Sequence, residues 1–304
     1  MLSLDEKKIR KGKPIGLPYQ GSKKKISKKI VEIIKQNFGT TKPIYDIFGG
    51  GGAITAECIL NGLEVHYNDL DKDITNAFER VISQDREWIK TLIVSRTEFF
   101  EVKAKENKTT DDFLKLLINS FGDNKKGYLY SEEISDLKYN LAKEIIENHD
   151  VFDGYKQTET YKKVTSGLDW NWFNAKPEKS KTLEHLQHLQ QLERLQRLER
   201  LDEVKATNKS YQDFSKVSGA ILYLDPPYEG TTQEGYESVS SSFDSQEFYD
   251  WSFAMAKTNI VIISSYSISD ERFEAVYSFD KARSTIQGGT RNDKCEKLFM
   301  VKNS

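Results

Sequence analysis

The sequence predicts an α/β fold: a doubly wound, mostly parallel sheet interrupted by a long, largely helical insertion. Three observations predict it. Residues 43–48, PIYDIF, run apolar and stop at Gly49-Gly50-Gly51-Gly52, after which come a helical pattern and a second apolar run, LEVHYND. The same rhythm returns near residue 205, with ILYL at 221–224, a helix around 246–257, NIVIISS at 259–265 and a β-rich tail ending in EKLFMV. Between about residues 80 and 205 the chain is charged and mostly helical in pattern. Strands that alternate with helices in this way build parallel sheets with crossover connections.

In chain order, residues 1–29 come first, with ten Lys or Arg against Asp5 and Glu6. Such a cluster attracts phosphate backbones. A solvated tail and helix face would look the same. The whole chain, 304 residues with a net charge of −2 and a pI near 6.2, falls short of a strongly basic nucleic-acid binder. Charge permits a nucleic-acid partner without diagnosing one. The start, MLSLDEKKIRKGK, lacks the apolar core of a secretory signal, and no apolar run reaches the roughly 18 residues of a membrane span. Cys58 and Cys295 are too few and too far apart for a disulfide framework, which points to a reducing cytoplasm. Neither they nor the four histidines show ligand spacing, so no metal is expected.

The first strand ends in glycines, which allow a sharp turn and a close approach of backbone to a ligand. AITAECILNG (53–62) then has helical spacing, with Asn61-Gly62 as its stop. The second strand ends at Asn68-Asp69, and Asp69 follows Gly49 by twenty residues. That spacing suits a carboxylate receiving the hydroxyls of a ribose. The glycines lack the Lys-Ser/Thr of a P-loop and the last glycine of G-x-G-x-x-G, so a nucleoside ligand without a pyrophosphate fits best. An ordinary glycine turn followed by a turn aspartate accounts for the same residues.

Residues 72–150 read as helices broken at Ser120-Phe-Gly-Asp-Asn-Lys-Lys-Gly-Tyr-Leu-Tyr130, and residues 151–180 are rich in aromatics, Trp170 and Trp172 among them. The two tryptophans read as core or folding anchors. From Leu183 to Leu201 a leucine falls at every third position. An α-helix turns about 100° per residue, so each step slips the leucine by about 60° and the stripe wraps the whole helix. The segment is therefore expected to be a helix packed on several sides or self-associating.

ILYL runs straight into Asp225-Pro226-Pro227-Tyr228. Ligands in open α/β sheets bind beyond the carboxyl ends of strands. Two prolines stiffen this turn and donate no hydrogen bonds, leaving their carbonyls as acceptors. Asp225 adds a charged acceptor and Tyr228 a flat aromatic face. Together they suit a planar ring bearing an exocyclic amine, whose lone pair must be turned out of conjugation before it can attack carbon. A rigid strand-ending turn with a packing tyrosine is the plain alternative.

With those residues in view, the chain resembles the Dam-like DNA adenine-N6 methyltransferases over about residues 17–80 and 205–304. Tyr19-Gln-Gly-Ser-Lys23 is similar to the family's segment that closes over the cofactor. Asp46-Ile-Phe48-Gly49-Gly50-Gly51-Gly52 is similar to its methionine-side loop, and Asp69 stands at the ribose acid. Ser210-Tyr-Gln-Asp213-Phe214 resembles the segment contacting the cofactor's adenine, and Asp225-Pro226-Pro227-Tyr228 resembles the catalytic motif. Phe248-Tyr-Asp-Trp251, NIVIISSYS (259–267) and Glu296-Lys-Leu-Phe299 are similar to later blocks. The stretch 120–130 departs from the FN-containing segment of relatives that recognise GATC, so no GATC target is carried over.

The resemblance implies a seven-stranded Rossmann-like methyltransferase sheet, with residues 1–80 and 205–304 forming the catalytic domain. Residues 81–204 would form a largely helical DNA-recognition domain. It implies S-adenosylmethionine as cofactor, double-stranded DNA as partner and transfer of a methyl group to N6 of a flipped adenine. Lys125, Lys126, Tyr128 and Tyr130 are the candidate DNA contacts, although a solvated turn with packing aromatics reads the same. A cognate restriction enzyme and self-association through the leucine repeat are the other candidate partners. N4-cytosine methylation is the runner-up, because its amine suits the same acceptors. Glutamine methylation would show Asn at position 225, and a nicotinamide oxidoreductase would leave D-P-P-Y unexplained. A catalytically silent DNA-binding partner would have no chemical need for an intact D-P-P-Y and glycine loop.

Overall fold

Strand β1 (Ile44–Asp46) pairs in parallel with β2 (Val65–Asn68) on one side and with β4 (Ile221–Leu224) on the other. The computed structural model describes residues 1–19, 21–166, 182–198, 204, 206–229, 243–279 and 295–302. Beyond β2 lies β3 (Ala206–Thr207), and beyond β4 lies β5 (Ile260–Ser265), both parallel to their neighbours. The order is β3-β2-β1-β4-β5-β7-β6, where β6 is Phe273–Ser278 and β7 is Lys297–Val301. Strand β7 runs antiparallel to both β5 and β6. The chain winds outward in one direction through β1, β2 and β3 and in the other through β4 and β5. The switch point lies between β1 and β4, where an open α/β sheet binds its ligands.

Among the described residues the helices are α1 (Ser27–Phe38), α2 (Ala53–Leu60), α3 (Lys72–Ile82), α4 (Arg86–Lys90), α5 (Arg96–Ala104), α6 (Thr110–Ile118), α7 (Glu132–His149), α8 (Glu159–Ser166), α9 (Glu184–Gln196) and α10 (Ser245–Met255). None of them is long and apolar enough to cross a membrane. The chain forms two compact units. One comprises Met1–Pro14, Lys23–Thr75 and Glu199–Ser304, and the other Ile15–Ser22 and Asn76–Leu198.

All seven strands belong to the first unit. Strand β4 is buried along its whole length, as a continuous apolar run predicts for a strand covered on both faces. Leu222 and Leu224 pack with Ile47, Phe248, Val261, Ile263 and Phe299 in its core. Helix α1 adds Ile30, Val31, Ile33 and Ile34. Helix α2 stops where the sequence places its stop: Asn61 caps it and Gly62 turns left-handed at φ 70°. Helix α10 opens on Asp244, whose carboxylate accepts from the Gln246 and Glu247 amides.

The second unit explains the leucine repeat. Leu183, Leu186, Leu189, Leu192, Leu195 and Leu198 are all buried, and α9 packs against α4, α6 and α7. The stripe rotates by about 60° at each leucine, so the four within α9 turn through about half a circle, and three neighbouring helices receive them. These six side chains therefore lie inside the unit instead of forming a face for a second chain. Gln196 closes the helix by donating to the carbonyls of Val81, Gln84 and Asp85 at 3.0, 2.8 and 3.2 Å. Trp170, Trp172 and Leu201 lie outside the described residues.

Leu189→Ala is expected to lower the unfolding free energy by about 2–5 kcal/mol, because the cavity cannot collapse against three neighbouring helices. Arg197→Ala, at an exposed position on the same segment, should change it by no more than about 0.5 kcal/mol. Urea denaturation of the two variants beside the parent tests the difference.

Candidate active site

Asp46 ends β1 and is 1% exposed. Its Oδ2 accepts from the Thr55 amide at 3.1 Å and the Thr55 hydroxyl at 2.7 Å. Thr55 lies in the first turn of α2, so the carboxylate ties the strand end to the helix start across the glycine loop. Burial pushes the Asp46 carboxyl up to about 7; the two Thr55 bonds resist that rise, and the charges of Asp225 and Asp69 add to it.

The loop between them needs its glycines. A Cβ on Gly49 would fall 2.4 Å from the Tyr67 ring, while the Gly49 amide donates to the Asn68 carbonyl at 2.8 Å. Gly50 and Gly52 are left-handed, at φ 48° and 72°, and Gly51 is buried between them. The Tyr67 hydroxyl donates to the Gly50 carbonyl at 2.8 Å, and the Gly50 amide donates to Asp69 Oδ2 at 2.8 Å. Asp69 Oδ1 accepts from the Asp71 amide at 2.8 Å. Burial pushes Asp69 up to about 7, against the pull of those two amides. Each of its oxygens keeps a second lone pair for a ligand hydroxyl.

Asn68, which the sequence presents only as the neighbour of Asp69, holds the strand ends together. Its amide donates to the Ile47 and Lys209 carbonyls, each at 2.9 Å, and its oxygen accepts from the Thr207 hydroxyl and the Lys209 amide at 2.8 and 3.0 Å. That anchors β3 and the segment leading to Ser210. Asp213 closes a capping box there, accepting from the Ser210 amide at 3.0 Å, and Phe214 meets the edge of Tyr45. The aromatic that faces Phe48 is Tyr211, with ring centroids 6.2 Å apart. Phe243, Phe248 and Trp251 surround Tyr211. Tyr211 sits inside the quoted motif, yet its pairing with Phe48 depends on strands far apart in sequence.

D-P-P-Y follows β4, beside the loop that follows β1. Lys23 Nζ lies 2.9 Å from Asp225 Oδ1 and 2.5 Å from the Tyr228 hydroxyl oxygen. Tyr228 Oη lies 3.1 Å from Asp225 Oδ1 and 2.6 Å from Glu296 Oε1. Glu296 also accepts from the Ser264 hydroxyl at 2.8 Å and stands 3.7 Å from Lys23. The Tyr228 ring meets Tyr266 edge-on. Burial pushes Asp225 up to about 6; Lys23 pulls it down and Glu296 pushes it up. Burial also works against the Lys23 ammonium, but Asp225 and Glu296 outweigh it and its pKa ends above the ordinary lysine value. Pro226 is buried, and among the described residues no hydrogen bond reaches its carbonyl. Glu296 was legible only as part of a late block similar to the family; its role at this cluster was not.

Tyr19 groups with the second unit, where its carbonyl accepts from the Ser22 amide at 3.2 Å. In the same unit, Lys125 and Lys126 lie in the turn between Ser120 and Tyr128, with Lys125 over the Phe113 ring. Tyr128 and Tyr130, expected as groove contacts, are buried. The Tyr128 hydroxyl donates to the Val94 carbonyl at 2.7 Å, and the Tyr130 hydroxyl accepts from the Glu184 amide at 2.7 Å. Tyr130 and Tyr155, which accepts from the Leu183 amide at 3.0 Å, satisfy the start of a helix that has no side-chain cap of its own. These tyrosines belong to the core for that reason. The exposed aromatic of the turn is Phe121, at 69%.

Asp46 and Asp69 hold protons in the folded chain up to about pH 7, where an unfolded carboxyl releases them near about pH 4. Stability therefore falls as pH rises through that window and levels off above it. Asp46→Asn keeps an oxygen for the Thr55 bonds and removes the buried charge. Denaturation midpoints should show the variant gaining on the parent between about pH 4 and about pH 7, in proportion to the proton it no longer releases.

The sequence matches the D12 class N6 adenine-specific DNA methyltransferase family over residues 19–287. No curated protein sequence matches the chain. Among solved structures, the rRNA methyltransferase aviRa from Streptomyces viridochromogenes is similar at a TM-score of 0.35 and 10% identity, over 90% of this chain and 84% of that one. So distant a likeness carries no argument. The family match spans both the glycine loop and D-P-P-Y, and its adenine specificity sets aside the cytosine reading. The chain belongs to the D12 class N6 adenine-specific DNA methyltransferase family: it is an enzyme that places a methyl group on N6 of adenine in DNA.

Proposed function

We propose that this chain methylates adenine within a specific DNA sequence, with S-adenosylmethionine as donor and with the target base turned out of the duplex. The observation that carries the reading is the adjacency of two loops. The glycine loop after β1 and Asp225-Pro226-Pro227-Tyr228 after β4 leave neighbouring parallel strands at the switch point of the sheet.

The residues fit the donor on chemical grounds. Gly50, Asp69 and the backbone between them offer a carboxylate and close-packed main chain to a ribose, while Phe48 and Tyr211 offer an aromatic wall. Asp213, held by its capping box, and Phe214 complete that side. After burial, the charge of Asp225 helps to raise both Asp46 and Asp69, and Asp69 helps to raise Asp46, so these acids sit within one another's field and favour a cationic ligand. S-adenosylmethionine supplies an electrophilic methyl carbon on a positively charged sulfur.

The chain's own groups do the rest. The Asp225 carboxylate and the Pro226 carbonyl accept the two hydrogens of the adenine amine, which favours a tetrahedral nitrogen with its lone pair free. The Tyr228 ring stacks on the base, as an extruded nucleotide requires. Catalysis is then orientation plus fixed electrostatics. Lys23 is the group an incoming amine must share Asp225 with. Tyr19 and Lys23 flank the short segment that begins the cofactor side. The second unit is the target-recognition domain. Its contacts with DNA are Lys125, Lys126 and, in place of Tyr128 and Tyr130, Phe121. Gly122 and Asp123 sit at φ 67° and 55°, and Lys125, beyond Asn124 at φ −102°, sits at 61°, so two left-handed positions in this turn lack glycine's freedom. Such strain gathers at functional loops, and an exposed apolar ring suits insertion between bases. Buried Cys58 and partly exposed Cys295 are both free thiols, in keeping with a reducing cytoplasm.

Incubation of unmethylated DNA with S-adenosylmethionine and the parent protein, followed by nucleoside mass spectrometry, should yield N6-methyladenine. Asp225→Ala should lower the rate by about a hundredfold or more. The parent's kcat/KM should fall on acidification through about pH 6, as Asp225 takes up its proton. Parent protein that makes only N4-methylcytosine, or an Asp225→Ala variant of parent rate, would overturn the assignment. Phe121→Ala should weaken DNA binding by about tenfold, within the alanine-substitution range for a stacked base, with the dissociation constant for S-adenosylmethionine unchanged. Equal DNA affinity in parent and variant would remove Phe121 from the interface.

A further inference from the structure

Methylation of an amine leaves a proton to be disposed of. As the N–C bond forms, the C–S bond of the donor breaks and its electron pair stays on sulfur. The nitrogen then carries a positive charge and two hydrogens, and neutral N6-methyladenine forms only when one of them leaves. The groups around D-P-P-Y offer a route. Asp225, Glu296 and Lys23 have side chains only 17%, 13% and 12% exposed. Two carboxylates against one ammonium leave the cluster with one negative charge, enough to take up a single proton. A phenol has one hydrogen, and Tyr228 Oη stands 2.6 Å from Glu296 and 3.1 Å from Asp225, so the shorter distance assigns that hydrogen to Glu296.

We infer that Glu296 is the terminal proton acceptor of the reaction, reached from Asp225 through the Tyr228 hydroxyl. The inference rests on the proposed reading of Asp225 as the acceptor for the adenine amine. The proton passes from the methylated nitrogen to Asp225 and from Asp225 to the Tyr228 oxygen, while the phenol's own hydrogen moves to Glu296 Oε1. Asp225 and Tyr228 return to their starting states, and Glu296 ends protonated. Ser264, donating to the same Oε1 at 2.8 Å, holds that oxygen in place, and Lys23 keeps the cluster neutral once the proton arrives. Glu296 lies past residue 287, outside the stretch matched to the family. It precedes β7, the strand that runs antiparallel beside β5 and brings Glu296 to Ser264.

The test is the turnover rate of DNA methylation, with the pre-steady-state rate of methyl transfer beside it, over a range of pH, for the parent, Glu296→Gln, Glu296→Asp, Tyr228→Phe and the Gln/Phe double variant. The dissociation constant for S-adenosylmethionine and the melting temperature are read alongside. Glu296→Gln and Tyr228→Phe should each slow turnover by about tenfold or more, with cofactor affinity within about twofold of the parent. The double variant should be no slower than the worse single, because both changes cut one series path. Glu296→Asp should recover part of the loss. Losses that multiply in the double variant, or a Glu296→Gln variant with the parent's rate and pH profile, overturn the relay. If Glu296→Gln does not fold, Tyr228→Phe, which keeps the ring, decides: a parent-like rate and pH profile overturns the proposal. A parent that makes no N6-methyladenine fails the proposed function itself, which is a separate result.

Discussion

Burial of carboxylates at the ends of β1, β2 and β4 is the constraint on which the first unit depends. A buried acid without partners would take up a proton or unfold the site. Each one here is held differently. Thr55 holds Asp46, the Gly50 and Asp71 amides hold Asp69, and Lys23 with Tyr228 holds Asp225. Those partners are the same contacts that shape the glycine loop, fix the start of α2 and orient Tyr228. Charge satisfaction and site geometry are thus one arrangement.

The arrangement also explains why the three acids can do different work. Asp46 takes both its bonds from Thr55 through one oxygen, so it braces the loop. Asp69 binds backbone through each oxygen and still keeps lone pairs toward the crevice. Asp225 is paired with a lysine, a partner that can be shared or exchanged, which suits its proposed role as acceptor for an incoming amine. Burial raises all three, but the identity of the partner differs from one to the next, and the proposed roles divide along that difference.

The second unit follows another logic. It has no sheet in the described residues, so its stability comes from helices around α9, and an uncommon leucine spacing becomes reasonable once that helix is surrounded. The aromatic residues near 120–130 divide by geometry. Tyr128 and Tyr130 turn inward because their hydroxyls meet Val94 and the start of α9, whereas Phe121 has no polar tip to satisfy and stands in solvent.

The sequence by itself determined the class of the fold and the family, and it located the strand ends at which the glycine loop and D-P-P-Y stand. Apolar runs, glycines and prolines act over a few residues, and their consequences can be read locally. The stop of α2 at Asn61-Gly62 and the burial of ILYL are of that kind. Tertiary structure alone decided which carboxylate meets which partner. Lys23, Ser264 and Glu296 come to the D-P-P-Y turn from a segment before β1, from β5 and from the edge of β7, and no spacing in the chain encodes that meeting. The same holds for Asn68, which binds Ile47 and Lys209 from two separate segments of the first unit, and for Tyr211 against Phe48. Local pattern specifies what a residue can do. Long-range packing and the need to satisfy buried charge decide what it does.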